Sequence, residues 1–318
     1  MYDVIALGEL LIDFTQNAIS EQGNIMYEAN PGGAPCNVLS MLQKLGRRTA
    51  FIGKVGNDRF GELLRQAACE VGIDTECLYT DFNNPTTLAF VSNREDGDRS
   101  FSFYRKNGAD TMLTKEEIPV EKIKSSRIFH FGSLSMTAEP CKSATEYAVE
   151  AAKNGGCLIS FDPNLRPLLW DSLDTAKKRI EYGISVCDIL KIADDELQWI
   201  TQENDIDKAI ESFRNSYDVP LMLLSMGKNG SRAFCGSLSA FAPAFLTSAT
   251  IETTGAGDTF CACALDFVLK NGGLEFTVEA LSEMLRFSNA AAAIVTTRRG
   301  ALRVMPSLSE IESLISLP

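Results

Sequence analysis

Short apolar runs alternate with amphipathic helical patterns along most of this chain, and this alternation limits the folds open to it more than any other feature. Strand patterns cover residues 4–7, 49–55, 127–131, 157–162, 187–192 and 220–225, and helical patterns cover residues 38–45, 60–71, 138–153, 194–201 and 205–215. Strands joined by helical crossovers lie parallel and carry helices on both faces of their sheet. We therefore expect an α/β fold with three layers, α/β/α, around a mainly parallel central sheet.

The remaining segments extend this pattern. Strands near 231–235 and 239–242 are expected to be antiparallel, and helices are expected at 259–270, 277–297 and 307–316. A hairpin pattern at 86–92 and 99–105, with Asp-Gly turn chemistry in the connecting segment 93–98, interrupts the α/β series. Residues 15–31 are expected to be irregular, apart from a short strand at 25–27. We interpret the chain as one domain, residues 1–318, with a small β-sheet lid formed by about 14–31 and 86–106.

Composition restricts the partners and the compartment. A net charge of -12 argues against binding to nucleic acid or to an anionic membrane, because such binding depends on basic side chains. No apolar run reaches the ~20 residues of a membrane helix, so we expect a cytoplasmic protein. The nine cysteines form no C-x-x-C pair and the single histidine, His130, lies in an apolar run, which excludes zinc sites and histidine triads. A lid sheet with one open face often pairs with another copy, which makes a homodimer through the lid an expectation.

The glycine-rich segment 251–260 has the features of an anion cradle. Gly255 and Gly257 flank Ala256, and glycine lets the N–H groups of 255–258 converge at the start of a helix, where the helix dipole is positive. Asp258 would repel a phosphate there unless it takes a proton from a substrate hydroxyl. The alternative is that Asp258 simply caps the helix, since aspartate is among the best N-caps. This segment alone leaves both interpretations open.

Two familiar phosphate-binding motifs do not fit the chain. It contains no G-x-x-x-x-G-K-[ST], which excludes the P-loop class. The Gly255-Ala256-Gly257 sequence begins like a dinucleotide-binding fingerprint, but Phe260 stands where the third glycine belongs.

Loops after predicted strands carry the other candidate residues, because ligands of open α/β sheets bind at the C-terminal ends of the strands. Asp13 is the only charge between Leu10 and Phe14, and the glycine pair in 31–37 precedes a helix whose first turn contains Asn37. Asp-Pro-Asn at 162–164 is ordinary turn chemistry, whereas the following Arg166 suits a phosphate or a polyol. Acids at 194–196 fit a helix start, and Glu196 also suits a hydrated Mg²⁺. The turn at 227–230 is either a plain turn or a nucleotide contact.

Three segments together resemble the ribokinase-like (pfkB) carbohydrate kinase family over nearly the whole chain. Residues 32–37 are similar to the N-terminal signature of that family, residues 252–258 to its C-terminal signature, and 289–300 to its closing helix and loop. Within the family, segments 103–110, 130–134 and 162–170 most resemble fructokinases.

The resemblance implies a role for each candidate residue. It implies Asp258 as catalytic base, Gly255, Ala256 and Gly257 as anion hole and Arg166 at the moving phosphoryl group; Asp13, Gly32, Gly33, Asn37, Arg105 and Asp258 at the sugar; and Asn164, Lys191, Ser225, Gly227, Gly230, Gly255, Gly257 and Asn289 at ATP. It implies Mg²⁺ held by Glu196 through water, and K⁺ at Glu252 and Thr254. The family usually has aspartate where this chain has Glu252, which leaves activation by K⁺ open, and Ala193 replaces the asparagine of the family's N-x-x-E motif.

These observations predict an ATP-dependent sugar kinase with fructose as the favoured substrate. A 2-keto-3-deoxygluconate kinase is the alternative within the family, because Arg105 and Arg166 could pair with the carboxylate of a sugar acid. A sugar sensor without turnover is the alternative from a different class. It would keep Asp13 and Asn37 and would not need Asp258.

Overall fold

The computed structural model describes residues 1–93 and 99–317, and thirteen strands and ten α-helices lie within them. The strands are β1 Val4–Leu7, β2 Leu11–Ile19, β3 Ile25–Gly32, β4 Thr49–Gly56, β5 Leu78–Asp81, β6 Leu88–Asn93, β7 Arg99–Tyr104, β8 Ile128–Gly132, β9 Leu158–Asp162, β10 Ile189–Ala193, β11 Leu221–Ser225, β12 Ser231–Cys235 and β13 Leu238–Ala242. The helices are α1 Ala34–Lys44, α2 Arg59–Glu70, α3 Val120–Lys124, α4 Cys141–Asn154, α5 Leu173–Val186, α6 Asp194–Thr201, α7 Ile206–Ser216, α8 Ala256–Asn271, α9 Val278–Val295 and α10 Leu308–Ile315.

The central sheet confirms the predicted α/β class. Its strand order is β13-β12-β11-β10-β9-β8-β1-β4-β5. The pairs from β11 to β5 are parallel, whereas β12 and β13 pair antiparallel, as their sequence pattern predicts. No helix was predicted from the sequence at residues 173–186. The structure has α5 there, and this helix connects β9 to β10 in the same way as the other crossovers.

Two apolar cores lie on opposite faces of the central sheet. Successive strand side chains point to opposite faces, and β1 shows this directly. Val4 and Ala6 belong to a core shared with α1, α8 and α9, whereas Ile5 and Leu7 belong to a core shared with α4 and α5. The three predicted layers are therefore present, and the cores hold the C-terminal ends of the parallel strands at one edge of the sheet.

The second sheet corrects one prediction. Its order is β3-β2-β6-β7, with β2 parallel to β6 and antiparallel to β3. The expectation that residues 15–31 are mostly irregular was wrong, because β2 and β3 cover most of that range. Their polar residues hide the strand pattern, and pairing with β6 supplies what local propensity does not. The predicted Asp-Gly turn in 93–98 lies outside the described residues.

Aromatic packing fixes the orientation of this lid sheet. The rings of Phe14 and Phe90 stack at 4.8 Å, and Phe60 of α2 meets Phe14 edge-on at 5.6 Å. Asp13 precedes Phe14 on β2, so its side chain points to the other face of the lid. Asp58, the N-cap of α2, accepts hydrogen bonds from the Thr86 N–H (2.8 Å) and hydroxyl (2.7 Å), which anchors the approach to β6. The lid is thus packed against α2 and presents Asp13, with the apolar side chains of Leu11, Val91 and Phe103, to the sheet edge.

Candidate active site

A cavity of about 420 Å³ lies at the C-terminal ends of the parallel strands, next to the lid. Its lining includes residues that follow β1, β8, β9, β10 and β11, together with Leu11, Asp13, Val91 and Phe103 of the lid. In the central sheet β1 lies between β4 and β8, and the chain continues outwards from β1 in opposite directions on its two sides. The direction in which strands are added therefore reverses next to this cavity. Ligands of open α/β sheets bind at such a switch point, which makes this cavity the candidate active site.

Asp258 lies in the first turn of α8, at the wall of this cavity. The predicted start of this helix at residue 259 was three residues late: α8 begins at Ala256, after Gly255 as N-cap with φ 77°. A Cβ at Gly255 would lie 2.8 Å from that of Ala301, so both the space and the backbone angle require glycine. Capping therefore does not account for Asp258, and its carboxylate instead accepts a hydrogen bond of 2.8 Å from Asn37 Nδ2.

Asn37 also lines the cavity and is nearly fully buried. Its Nδ2 is taken by Asp258, whereas its Oδ1 is buried and has no hydrogen-bond partner within residues 1–93 and 99–317. Buried polar atoms are normally paired, so an orphaned acceptor at a cavity wall marks a place for a donor such as a ligand hydroxyl. The structure thus brings Asn37 to Asp258 as a pair.

Burial raises the pKa of three carboxyl groups of the cavity to about 6 or about 7, and two of them, Asp258 and Asp13, are predicted site residues. Burial raises the pKa of Asp258 to about 6, against the lowering effects of the Asn37 hydrogen bond and of Arg166. Burial likewise raises the pKa of Asp13 to about 7, and the charges of Glu252 and Asp258 add to this rise. Carboxyl groups with such pKa values can accept and return protons near pH 7.

Gly32 makes room for Asp13, since a Cβ at Gly32 would lie 2.6 Å from Asp13 Oδ2. Although it was predicted to contact the sugar, Gly32 is absent from the cavity lining. Its neighbour Gly33 does line the cavity.

Two cations, Lys191 and Arg166, line the same cavity, and the charge of Arg166 lowers the pKa of Asp13 on the lid. Lys191 of β10 forms a buried ion pair with Asp162 at 3.2 Å, and both side chains are less than a tenth exposed. Although burial lowers the pKa of Lys191, the carboxylates of Asp162 and Glu196 hold it above its usual range. A Cβ at Gly257 would lie 3.1 Å from Lys191 Nζ, so the ammonium lies against the glycine cradle.

A second cavity of about 470 Å³ adjoins the first one. The two share Ser225, Gly227, Thr253 and Gly257 in their walls. The remainder is largely apolar and includes Phe245, Leu246, Phe260, Ala292 and Ala293. Gly230 and Asn289 also line this cavity. Asn289 Nδ2 donates hydrogen bonds to the carbonyls of Ala242 (3.1 Å) and Pro243 (3.0 Å), which holds α9 to the end of β13. An apolar slot beside an anion cradle suits a nucleoside that carries phosphates.

Three predicted site residues lie behind the cavity walls. Arg105 donates to Asp110 (2.7 Å), Thr137 (2.7 Å) and the Leu134 carbonyl (2.8 Å), so all three guanidinium nitrogens are used. A buried arginine needs such partners, and a sequence cannot show that Asp110 supplies them. This finding does not support direct contact of Arg105 with a ligand.

The other two are Glu196 and Glu252. Glu196 accepts N–H bonds from Leu165 (2.7 Å) and Ala193 (2.9 Å), which joins two cavity loops. Glu252 accepts the Gly300 N–H at 2.7 Å, while Thr254 lines the first cavity. Asn164, predicted as a nucleotide contact, also lines the first cavity.

Sequence reasoning missed Glu9 as a residue of the site. It is buried, lines the cavity and accepts a hydrogen bond of 3.1 Å from the Ala34 N–H. The available signal was its position two residues after β1, at the edge of the sheet where ligands bind. Asp162, which partners Lys191, was noticed only as turn chemistry.

Comparisons with known proteins agree with this geometry. The family model described as pfkB family carbohydrate kinase matches residues 1–308. The chain is 38% identical to probable fructokinase-2 of Arabidopsis thaliana over 99% of this chain and 96% of the relative, and 38% identical to fructokinase-2 of Oryza sativa subsp. japonica over 98% and 94%. Fructokinase with bound ATP from Xylella fastidiosa has a TM-score of 0.88 at 29% identity, with 99% of this chain and 98% of that chain covered. A fructokinase double mutant from Vibrio cholerae O395, in a form with fructose, ADP and potassium ion bound, has a TM-score of 0.89 at 26% identity, with 99% of each chain covered. These matches confirm the predicted family and the ribokinase-like fold.

The buried pair Lys191–Asp162 generates a stability prediction. Lys191→Met should lower the free energy of unfolding by about 3–5 kcal/mol, because the Asp162 carboxylate would remain buried without its counter-charge. The double variant Asp162→Asn with Lys191→Met should recover most of this loss. Urea denaturation followed by circular dichroism measures both changes.

The exposed pair Arg59–Glu62 provides the control, since its side chains are 88% and 71% exposed. Arg59→Ala should change the free energy of unfolding by less than ~1 kcal/mol. A double variant no more stable than Lys191→Met would contradict the assigned role of the buried pair.

Proposed function

Because this chain belongs to the pfkB family of carbohydrate kinases, we propose that it transfers the γ-phosphoryl group of ATP to a primary hydroxyl of fructose. One observation carries the proposal: the Asp258 carboxylate, with a pKa of about 6, lines one cavity together with Asp13 of the lid and with Gly255 and Gly257 of the anion cradle. A base at that place can meet a sugar hydroxyl and a triphosphate together. The curated relatives at 37–38% identity are named as fructokinases, which supports the choice of sugar.

The lid half of the cavity supplies the sugar contacts in this proposal. Asp13 accepts hydrogen bonds from sugar hydroxyls, and the unpaired Asn37 Oδ1 accepts another. Gly33, which no side chain extends, allows the ring to approach the backbone at the start of α1. Asp258 then accepts the proton of the hydroxyl that attacks the γ-phosphorus.

The cradle half of the cavity stabilises the charge that moves during transfer. The start of α8 presents backbone N–H groups at the positive end of the helix dipole, which favours negative charge there, although the Ala256 N–H already donates to the Thr253 carbonyl at 3.2 Å. Lys191 and Arg166, which line the same cavity, add positive charge there. Ser225, Gly227, Gly230 and Asn289 surround the nucleoside in the second cavity.

The metal requirements fit a site in which the nucleotide brings its own ion. Within residues 1–93 and 99–317, His, Cys, Asp and Glu side chains form no cluster of three or more that could hold a metal ion. Mg²⁺ bound with ATP would offset the charge of the phosphates and would keep several of its waters. Glu196 lies close behind the loops of 165 and 193, so its contact with Mg²⁺ through water stays a prediction. The K⁺ site at Glu252 and Thr254 also stays a prediction, because the Glu252 carboxylate already accepts the Gly300 N–H.

One structural detail favours fructose over the sugar-acid alternative. Pairing of a substrate carboxylate with both Arg105 and Arg166 requires both guanidinium groups at the cavity. Arg105 is instead held by Asp110, Thr137 and the Leu134 carbonyl, which leaves Arg166. Asp13 and Glu9 would also repel a carboxylate on the lid side. An uncharged sugar therefore matches the cavity better than 2-keto-3-deoxygluconate.

A direct assay tests the reaction and the base together. With MgATP, we expect phosphorylation of fructose at a kcat/KM well above that of 2-keto-3-deoxygluconate. Asp258→Asn should lower kcat by about 10²–10⁴-fold, because the amide cannot take the proton, while the KM for fructose changes little. Coupled measurement of ADP release gives both constants, and exchange of KCl for NaCl in the same assay tests the K⁺ site.

Three outcomes would overturn the proposal. A preference for the sugar acid would replace fructose as substrate. Full activity of Asp258→Asn would remove the proposed base, and absence of turnover with every sugar tested would favour the sensor. Arg59→Ala, at an exposed position of α2, is the control that should match the unaltered chain.

The raised pKa of Asp258 predicts a pH dependence. Below its pKa of about 6 the carboxyl group is protonated and cannot act as base, so kcat should fall about tenfold per pH unit towards acid and level off above about pH 7. The Asn37 hydrogen bond lowers this pKa, so Asn37→Ala should move the midpoint to higher pH. Profiles of kcat between pH 5 and 8.5 measure both effects; a flat profile, or a midpoint shifted towards acid in Asn37→Ala, would contradict the assignment.

The open face of the lid predicts a homodimer. Ile19, Ile25 and Tyr104 are more than half exposed and lie on the face of the lid that carries Phe90. We propose that a second copy covers them, since contiguous exposed apolar surface commonly marks an interface. Sedimentation should give a dimer, and Ile25→Glu should shift it to monomer, whereas Phe82→Glu, at an exposed apolar residue beside β5, should not. A monomer at all concentrations would exclude the lid dimer.

A further inference from the structure

We propose that Glu9 is a positioning residue that holds the start of α1, and with it the Asn37–Asp258 pair, at the sugar end of the cavity. This inference rests on the proposed function, because it concerns how the sugar site keeps its geometry. It assigns a purpose to a buried carboxyl group that the reaction itself does not use.

Helix α1 lacks a cap of its own. Gly33 stands at the N-cap position with φ 137° and offers no side-chain acceptor, and the first turn of α1 contains no acid. The first N–H groups of a helix need acceptors from outside, and a negative charge there is favourable. Glu9 provides both from the end of β1, because its Oε1 accepts the Ala34 N–H at 3.1 Å.

The segment that follows β1 packs so closely against the start of α1 that neither can move without a steric clash. A Cβ at Gly33 would lie 2.3 Å from the Glu9 carbonyl oxygen, and a Cβ at Gly8 would lie 2.6 Å from Pro35 Cγ. The backbone of residues 8–9 therefore touches the first residues of α1 directly. The Glu9 side chain thus joins residues 8–9 to the start of α1, where the backbones are already in close contact.

The consequence of this tie lies one helical turn further along. Asn37 follows Ala34 by three residues, so its side chain lies near the same helix face, and it donates to Asp258 at 2.8 Å. A small shift of the start of α1 changes both this hydrogen bond and the place of Gly33 at the cavity. Glu9 thus acts on the base through Ala34 and Asn37, without touching it.

The buried ion pair Arg105–Asp110 belongs to the same arrangement. Burial raises the pKa of Glu9 to about 7, while the charge of Arg105 lowers it and that of Asp110 raises it. Arg105 is fixed at 2.7 Å from Asp110, so it supports Glu9 from behind the cavity wall. Because Arg105 and Asp110 are held together, their opposite effects on the pKa of Glu9 partly cancel.

Steady-state kinetics of Glu9→Ala and Glu9→Gln test the proposal. Glu9→Ala removes the acceptor, so the KM for fructose should rise and kcat should fall, each by about tenfold, while the KM for ATP stays within about twofold. Glu9→Gln keeps an amide oxygen that accepts the Ala34 N–H, so both constants should recover to within about threefold. Glu62→Ala, which removes an exposed acid from the first turn of α2, is the matched control and should change neither.

The outcomes are separable. Unchanged sugar constants in Glu9→Ala, an equal loss for ATP and sugar, or a Glu9→Gln as defective as Glu9→Ala would each overturn the positioning role. Should Glu9→Ala fail to fold by circular dichroism, Glu9→Asp decides: its carboxylate is one methylene too short, so it should raise the KM for fructose where Glu9→Gln does not. Failure of the proposed function is seen in the unaltered chain, as absence of sugar phosphorylation, before any variant is compared.

Discussion

The hydrogen bond between Asn37 and Asp258 is the interaction on which the rest of the site depends. It joins the first turns of α1 and α8, which lie 221 residues apart in sequence. Each helix begins at a glycine with a positive φ, Gly33 and Gly255, and each glycine is required by a close neighbour. The central sheet serves to bring these two helix starts to one edge. The sugar side and the phosphate side of the cavity then meet at a single carboxylate.

The sequence predicted the scaffold well for physical reasons. Buried parallel strands require continuous apolar runs, and crossover helices require an amphipathic face, so both leave clear patterns. The lid strands β2 and β3 left no such pattern, since they are half exposed and gain order from pairing with β6. The start of α8 at Ala256 was equally hidden, because glycine is a poor helix former by local propensity.

The site was predictable where the chemistry depends on the backbone or on a local motif, and less so where it depends on pairing. Asp13, Asn37, Lys191 and Asp258 lie at the cavity as expected. Arg105 does not, because Asp110, five residues further along the chain, binds its guanidinium behind the cavity wall. Glu9 escaped notice for the same reason, since its partner is a backbone N–H of Ala34 that only the folded chain brings near. Motifs show which residues are special, while burial and partners decide what each one does.

The wall shared by the two cavities determines which lining residues can be substituted without affecting both cavities. Ser225, Gly227, Thr253 and Gly257 line both cavities, so a substitution there changes the shape of both at once. Leu11, Val91 and Phe103 line the sugar cavity and are absent from the nucleotide cavity. Evolution towards a new sugar can therefore proceed on the lid, one side chain at a time, while the phosphate machinery stays intact.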